Sequence, residues 1–92
     1  MAIGVYFPEA NFTAKQYGEV VKRLEQAGMG MPTGRLHHVS FGEETNLQVF
    51  DVWESQETFD KFGETLLPIM AEIGHAPPVP MIAPAHNIIV GR

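Results

Sequence analysis

The stretch from Leu47 to Met70, LQVFDVWESQETFDKFGETLLPIM, constrains the fold more than any other part of the chain. Leu47–Trp53 carries apolar side chains on both of its faces, which is typical of a strand in the middle of a sheet. Ser55 is a predicted N-cap, and apolar side chains then recur every three or four positions, which predicts an amphipathic helix. The inner stripe of this helix is predicted to be Phe59, Phe62, Leu66, Ile69, Met70 and Ile73. Pro68 is expected to kink the helix or to restart it.

Three more strands and one more helix are predicted around this stretch. The strands are Ala2–Phe7, Arg35–Phe41 and Ala85–Val90, and the helix runs from a capping box at Thr13-x-x-Gln16 to Gly28. The Pro-rich segment between the second helix and the last strand is predicted to lie extended on the surface. The order β-α-β-β-α-β predicts an α+β, ferredoxin-like antiparallel sheet of strand order 4-1-3-2, with both helices on one face.

The second face of this sheet is expected to bind another copy of the chain. Two helices cover only one face, yet both central strands carry apolar side chains on both faces. An exposed apolar face marks an interface, and packing two such sheets together about a two-fold axis would bury it. We therefore expect residues 1–92 to form one domain of a homodimeric α+β barrel.

Composition and charge exclude several kinds of partner. The net charge is −5, whereas nucleic-acid binding requires a basic surface, and the six Lys and Arg are too scattered to bind a membrane. The chain has no Cys, so disulfides and thiolate metal sites are excluded. The first ten residues lack the basic region of a signal peptide, and no apolar run is long enough to span a bilayer. A cytoplasmic location is therefore expected.

Asp51 is the first candidate for a catalytic residue, because it lies among apolar residues of a central strand. Such a carboxylate loses its hydration, so it either takes a proton from a ligand or pairs with a neighbouring side chain. The structural alternative is a pair with Arg35 or with a His of the adjacent strand. His38 and His86 are the other candidate proton acceptors, although convergence with Asp51 depends on a strand register that the sequence does not fix. His37 is expected to point to the face opposite His38.

Four residues are candidates for binding a small hydrophobic or aromatic ligand: Trp53, Tyr6, Phe62 and Arg35. Trp53 is either a wall of a pocket or part of the core, and Phe62 belongs to the core stripe of its helix. Arg35 is interpreted either as a site for a ligand carboxylate or as part of a surface salt bridge. The spacing of His residues that is typical of helical zinc sites is absent, so neither a metal nor a cofactor is predicted.

The segment Asp51–Phe59, DVWESQETF, followed by Phe62, resembles the dimeric α+β barrel superfamily and its antibiotic-biosynthesis-monooxygenase-like and stress-responsive members. The resemblance implies a barrel dimer that binds a small molecule. Members that degrade haem use an Asn, a Trp and a His. Trp53 matches the Trp, but Phe62–Glu64 occupies the region expected to hold the His, and the first strand has no Asn. Haem degradation is therefore not implied.

Three functions follow from these observations. The first is a cofactor-free enzyme, similar to a monooxygenase or an isomerase, that acts on a small aromatic or enolisable compound. The second is a barrel protein that binds a ligand or takes part in a stress response without turnover. The third is a homodimer with a purely structural role.

Overall fold

The computed structural model describes residues 1–8 and 11–91. The elements are β1 (Ile3–Phe7), α1 (Ala14–Gln26), β2 (Arg35–Glu43), β3 (Asn46–Trp53), α2 (Gln56–Glu72) and β4 (Met81–Pro84). All strand pairs are antiparallel, and the sheet order is β2-β3-β1-β4. The predicted ferredoxin-like arrangement is thereby confirmed, with β1 and β3 in the centre. In the described parts of the chain, no helix is long and apolar enough to cross a membrane.

Side chains close the N-terminal ends of both helices where the sequence predicts them. The Oγ1 of Thr13 accepts a hydrogen bond from the Gln16 N–H (3.1 Å), and the Gln16 Oε1 accepts one from the Thr13 N–H (2.9 Å), which completes the capping box. The Oγ of Ser55 accepts a hydrogen bond from the Thr58 N–H at the start of α2 (3.2 Å). Gly28 follows α1 with φ of 77°, a conformation that favours glycine.

In the second half of the chain, the structure excludes one of the two alternatives predicted for Pro68 and contradicts the predicted position of the last strand. The helix α2 is continuous through Pro68 and does not restart there. The last strand is Met81–Pro84, within the Pro-rich segment, whereas Ala85–Val90 contains no strand. The physical reason is that β4 pairs with β1 alone, and an edge strand tolerates proline because the N–H on its outer side needs no partner.

The register of the strands decides which side chains face the helices. Val5 is paired with Asp51 and Ile3 with Trp53, so all four side chains lie on the inner face of the sheet. Val5 and Trp53 are fully buried. The helix residues of the same core are Val20, Leu24, Phe59, Phe62, Ile69 and Met70. The four buried α2 side chains belong to the predicted inner stripe.

The outer face of the sheet has no helix over it. Tyr6 is paired with Phe50, and Val39 is paired with Phe50 from the other side, so the three side chains share this face. Val39 is 50% exposed and Phe50 is 39% exposed. The central strands therefore carry apolar side chains on both faces, as the sequence predicts.

Candidate functional site

A cavity of about 490 Å³ lies between the inner face of the sheet and the two helices. The segment after α2, residues 75–79, contributes to its wall. The lining is mainly apolar, and the polar side chains among the described lining residues are Tyr17, Arg35, His38, Asp51 and His75. A mainly apolar cavity of this size with a few polar groups is typical of a small-molecule site.

His38 and Asp51 are hydrogen-bonded to each other in the wall of the cavity. The two residues are paired across β2 and β3, and the His38 Nδ1 lies 2.6 Å from the Asp51 Oδ1. The second oxygen of Asp51 accepts a hydrogen bond from the Trp53 Nε1–H at 3.3 Å. Asp51 is only 2% exposed, so its carboxylate is stabilised by these two donors in place of water.

Tyr17 extends this pair to a series of three side chains. Its Oη lies 2.7 Å from the His38 Nε2, and the two rings are nearly parallel, with their centroids 5.9 Å apart. An ionised carboxylate can only accept a hydrogen bond, so the His38 Nδ1 carries the proton toward Asp51. In a neutral imidazole the Nε2 is then an acceptor, and the Tyr17 O–H donates to it.

The start of α1 is attached to the β2–β3 hairpin, which places Tyr17 over His38. The Leu47 N–H donates to the Phe12 carbonyl (2.6 Å), and the Ala14 N–H donates to the Glu44 carbonyl (2.7 Å). These bonds join the residues before α1 to the hairpin strand pair that carries His38. Tyr17, one turn into α1, therefore lies within hydrogen-bond distance of the imidazole.

The structure brings together some of the predicted site residues. Asp51, His38, Arg35 and Phe62 all line the cavity. The Arg35 guanidinium donates to the Gly30 carbonyl (3.3 Å) and lies over the Phe62 ring, with its carbon 5.9 Å from the ring centroid. The pair anticipated for Asp51 with a neighbouring His is thus present, and Arg35 is not its partner.

Three other predicted site residues lie away from this arrangement. Trp53 is behind the cavity wall, packed against the rings of Phe59 and Phe62 at centroid distances of 5.6 and 5.1 Å, and it does not line the cavity. Tyr6 lies on the outer face of the sheet, where its hydroxyl donates to the Gln48 side chain. His86 is exposed in the segment after β4, so the strand predicted to carry it is absent, and the hydrogen bonds of the Asp51 carboxylate go to His38 and Trp53.

Two polar residues of the cavity were not predicted from the sequence. Tyr17 belongs to the apolar stripe of α1, and the stripe alone assigns it to the core. The available signal is its hydroxyl group, since a tyrosine on the inner side of a helix needs a hydrogen-bond partner. His75 follows α2 and packs edge-on against Phe12, with ring centroids 5.2 Å apart. Among the described residues, no group of three or more His, Cys, Asp or Glu is placed to hold a metal ion.

Comparisons with known proteins identify the fold. No protein-family model matches the chain, and no curated protein matches it. Among solved structures, NE2512, a protein of unknown function from Nitrosomonas europaea, has a TM-score of 0.63 and 10% identity, covering 99% of this chain and 93% of its own. SnoaB, a cofactor-independent oxygenase from Streptomyces nogalater, has a TM-score of 0.60 and 15% identity, covering 96% of this chain and 94% of its own.

A third similar structure contains a ligand. The monooxygenase ActVA-Orf6 of Streptomyces coelicolor, in complex with nanaomycin D, has a TM-score of 0.60 and 17% identity, covering 99% of this chain and 91% of its own. The resemblance predicted from the Asp51–Phe59 stretch is confirmed at the level of the fold, because the similarity extends over almost the whole chain. At these identities the likeness concerns the fold and not the reaction.

Proposed function

We propose that this chain is a cofactor-free enzyme, similar to a monooxygenase or an isomerase, that removes a proton from a small aromatic or enolisable compound. The observation that carries the proposal is the continuous series of hydrogen bonds from Tyr17 through His38 to Asp51, set in the wall of a mainly apolar cavity. The similarity to an oxygenase and a monooxygenase of the same fold supports the reaction class.

The direction of these hydrogen bonds defines the path that the substrate proton takes. The Tyr17 hydroxyl donates to the His38 Nε2, so its oxygen keeps lone pairs that can accept a hydrogen bond from a substrate hydroxyl. When the substrate gives its proton to the Tyr17 oxygen, Tyr17 passes its own proton to His38. The imidazolium that forms is paired with Asp51, and the charge on His38 is thereby stabilised away from water.

The deprotonated substrate is the reactive species in either type of reaction. In an isomerase the proton returns to a different carbon. In a monooxygenase the carbanion form of an enolisable ring reacts with dioxygen to give a hydroperoxide. Loss of water from the hydroperoxide leaves a carbonyl group, so one O2 converts a CH2 group to C=O and produces one H2O.

Oxygen consumption with an anthrone tests the monooxygenase form of the proposal. We use 1,8-dihydroxyanthrone, which has a CH2 group flanked by two rings and fits the stated class. The expected result is an enzyme-dependent rate above autoxidation, with one O2 consumed per quinone formed and no hydrogen peroxide released. A rate equal to that of the protein-free solution contradicts this form of the proposal.

A Tyr17→Phe variant is expected to turn over about 10²- to 10⁴-fold more slowly, because the group that accepts the substrate proton and passes a proton to His38 is lost. The stability should fall by only about 1 kcal/mol, the usual cost of one hydrogen bond. Steady-state rates and urea unfolding measure the two effects. Tyr6→Phe is the matched control, since the other Tyr of the chain lies on the outer face of the sheet. Equal rates for both variants would exclude Tyr17 from the proton path.

Burial of Asp51 favours a second function, that of a binding protein without turnover. Asp51 is 2% exposed, and its two carboxylate oxygens are hydrogen-bonded to His38 and Trp53, so the carboxylate does not contact a ligand directly. In this function the cavity holds an aromatic compound and the polar series only orients its hydroxyl. Tight binding of the anthrone with no oxygen consumption distinguishes this function from the enzyme.

We also propose that the chain is a homodimer that joins two sheets through their outer faces. The support is the apolar outer face, on which Val39 and Phe50 are directly paired across β2 and β3 and are both exposed. An apolar face of a sheet without a covering layer is a typical interface. The two copies would then complete a barrel of eight strands.

A Phe50→Asp variant is expected to convert this dimer to a monomer, because each copy would bring an unpaired carboxylate into the apolar interface. Light scattering after gel filtration should give twice the chain mass of 10.2 kDa for the wild type and the single mass for the variant. Leu67→Asp is the control, since Leu67 is an exposed apolar residue of α2, away from the outer face. A monomeric wild type, or a dimeric Phe50→Asp, would contradict the proposed interface.

A further inference from the structure

We propose that the ligand of the cavity is an aromatic or enolic carboxylic acid, whose carboxylate binds Arg35 while its acidic hydroxyl faces Tyr17. The inference rests on the proposed function in taking the same cavity as the ligand site. It adds the second recognition group, and therefore the chemical class of the compound. The argument depends on how β2 places Arg35 and on what surrounds its guanidinium.

A β-bulge turns Arg35 toward the cavity. In β2, His38 pairs with Asp51 and His37 with Val52, and the register then shifts so that Arg35 pairs with Trp53. In a regular strand, residues 35 and 38 would lie on opposite faces, because side chains alternate. The extra residue of the bulge puts both on the inner face. Bulges commonly redirect a side chain in this way near functional sites.

The bulge is unfavourable for stability, because it exposes an apolar side chain and requires a glycine before Arg35. This cost indicates that the orientation of Arg35 toward the cavity is needed for function. The additional residue is Leu36, a large apolar side chain that is left 49% exposed. The preceding Gly34 has φ of 91° and lies so close to Thr58 that a Cβ would approach its side chain to 2.6 Å. The backbone before Arg35 is thus held in a conformation and at a distance that only glycine permits.

The guanidinium is placed without a carboxylate partner. Among the described residues, no Asp or Glu lies within ion-pair distance of Arg35, and its contacts are the Gly30 carbonyl and the Phe62 ring. Asp51 lines the same cavity but is bonded to His38 and Trp53. A half-buried cation in a mainly apolar cavity is best stabilised by a carboxylate. The planar guanidinium can donate one hydrogen bond to each of the two carboxylate oxygens.

The spacing of the two polar ends fits a flat compound of one or two rings. Arg35 and His38 pair with residues two apart on β3, so their backbones are separated by about 7 Å along the sheet. The Tyr17 hydroxyl adds to this separation, since it lies not on the strand but 2.7 Å from the His38 Nε2. A ring system with a carboxylate at one end and a hydroxyl at the other connects the two groups and leaves its faces against the apolar lining.

The chain as a whole does not favour anions, which makes the inference testable. With a net charge of −5, general electrostatic attraction would select cations, so a preference for a carboxylate must have a local origin. The probes are 6-hydroxy-2-naphthoate and its neutral analogue 6-hydroxy-2-naphthamide, which differ by the charge at one end. Their affinities for the full chain are measured by the change in naphthol fluorescence on titration.

The wild type is expected to bind the carboxylate about tenfold or more tightly than the amide, the usual effect of a charge-assisted pair. Arg35→Met, which keeps the length of the side chain, should bind both probes equally and bind the amide as the wild type does. Arg35→Lys should retain part of the preference and shows that the fold tolerates a change here. Equal affinities in the wild type, a preference kept by Arg35→Met, or no binding of either probe would each overturn the inference.

These outcomes are separate from the test of turnover. Binding of the naphthoate needs no oxygen, so the carboxylate preference can be present when the anthrone is not oxidised. In that case the proposed reaction fails and the inference about Arg35 stands. If the neutral anthrone is oxidised but the naphthoate is not preferred over the amide, the proposed reaction stands and the inference about Arg35 fails.

Discussion

An Asp51→Asn variant should lose turnover by a factor of about 10²–10⁴, the range that a positioned acid–base group contributes. Asparagine has almost the same shape, so the wall of the cavity is preserved, but a neutral amide does not stabilise the imidazolium that forms when His38 takes the proton. The expected change is in kcat, with KM nearly constant, because the charge develops only during the reaction. Oxygen-uptake kinetics with 1,8-dihydroxyanthrone measure both constants.

Asp60→Asn is the matched control for this prediction. Asp60 is an exposed carboxylate on α2 that accepts a hydrogen bond from Gln56 at 2.8 Å, so its replacement removes a charge without touching the cavity. We expect wild-type kinetics for this variant. If Asp51→Asn alters only the affinity for the compound and not its turnover, the chain is a binding protein. Wild-type kcat in Asp51→Asn excludes the proton path through His38.

A Trp53→Ala variant should lower the free energy of unfolding by about 3–5 kcal/mol, the usual cost of removing a large buried aromatic side chain. Trp53 is fully buried, and its ring contacts Phe59 and Phe62 and donates to Asp51. Since domains of this kind are stable by only about 5–15 kcal/mol, the loss is a large part of the total. Urea unfolding at one fixed protein concentration measures it, because a dimer couples stability to concentration.

Two further variants show whether this effect comes from packing or from the indole N–H. Trp53→Phe keeps most of the ring contacts but loses the hydrogen bond to Asp51, so a smaller loss of unfolding free energy than that of Trp53→Ala is expected.

Leu67→Ala is the control for helix α2, where a half-exposed side chain should change the free energy of unfolding by no more than about 0.5 kcal/mol. A loss below about 1 kcal/mol for Trp53→Ala would contradict the position of Trp53 in the core.

The sequence predicts the fold well where local and long-range signals agree. The capping box at Thr13 and the N-cap at Ser55 define the helix starts, and the apolar residues on both faces of β1 and β3 identify the central strands. The sequence predicts the last strand in the wrong place because Ala85–Val90 is rich in β-branched residues, whereas Met81–Pro84 is short, follows Pro80 and ends in a proline. Strand propensity is a property of a half-buried pleated surface, and the chain alone does not say which segment reaches β1.

The site is harder to predict because it depends on register. Pairing of His38 with Asp51 was one of several arrangements that the sequence permits, and a shift of one residue would have put the two side chains on opposite faces. The bulge at Leu36 cannot be predicted from the sequence either, although it determines on which face of the sheet Arg35 lies. Tyr17 is joined to His38 only by the packing of α1 on the sheet, at 21 residues' separation in the chain.

The most direct measurement is a crystal structure of the protein with 6-hydroxy-2-naphthoate bound. The proposed site predicts the naphthalene ring in the cavity between the sheet and the helices, with its hydroxyl within hydrogen-bond distance of the Tyr17 Oη and its carboxylate on Arg35. The hydrogen bonds of His38 to Tyr17 and to Asp51 should be retained. A ligand bound elsewhere on the protein, or one in the cavity with its hydroxyl turned away from Tyr17, would contradict the assignment of this cavity as the reaction site.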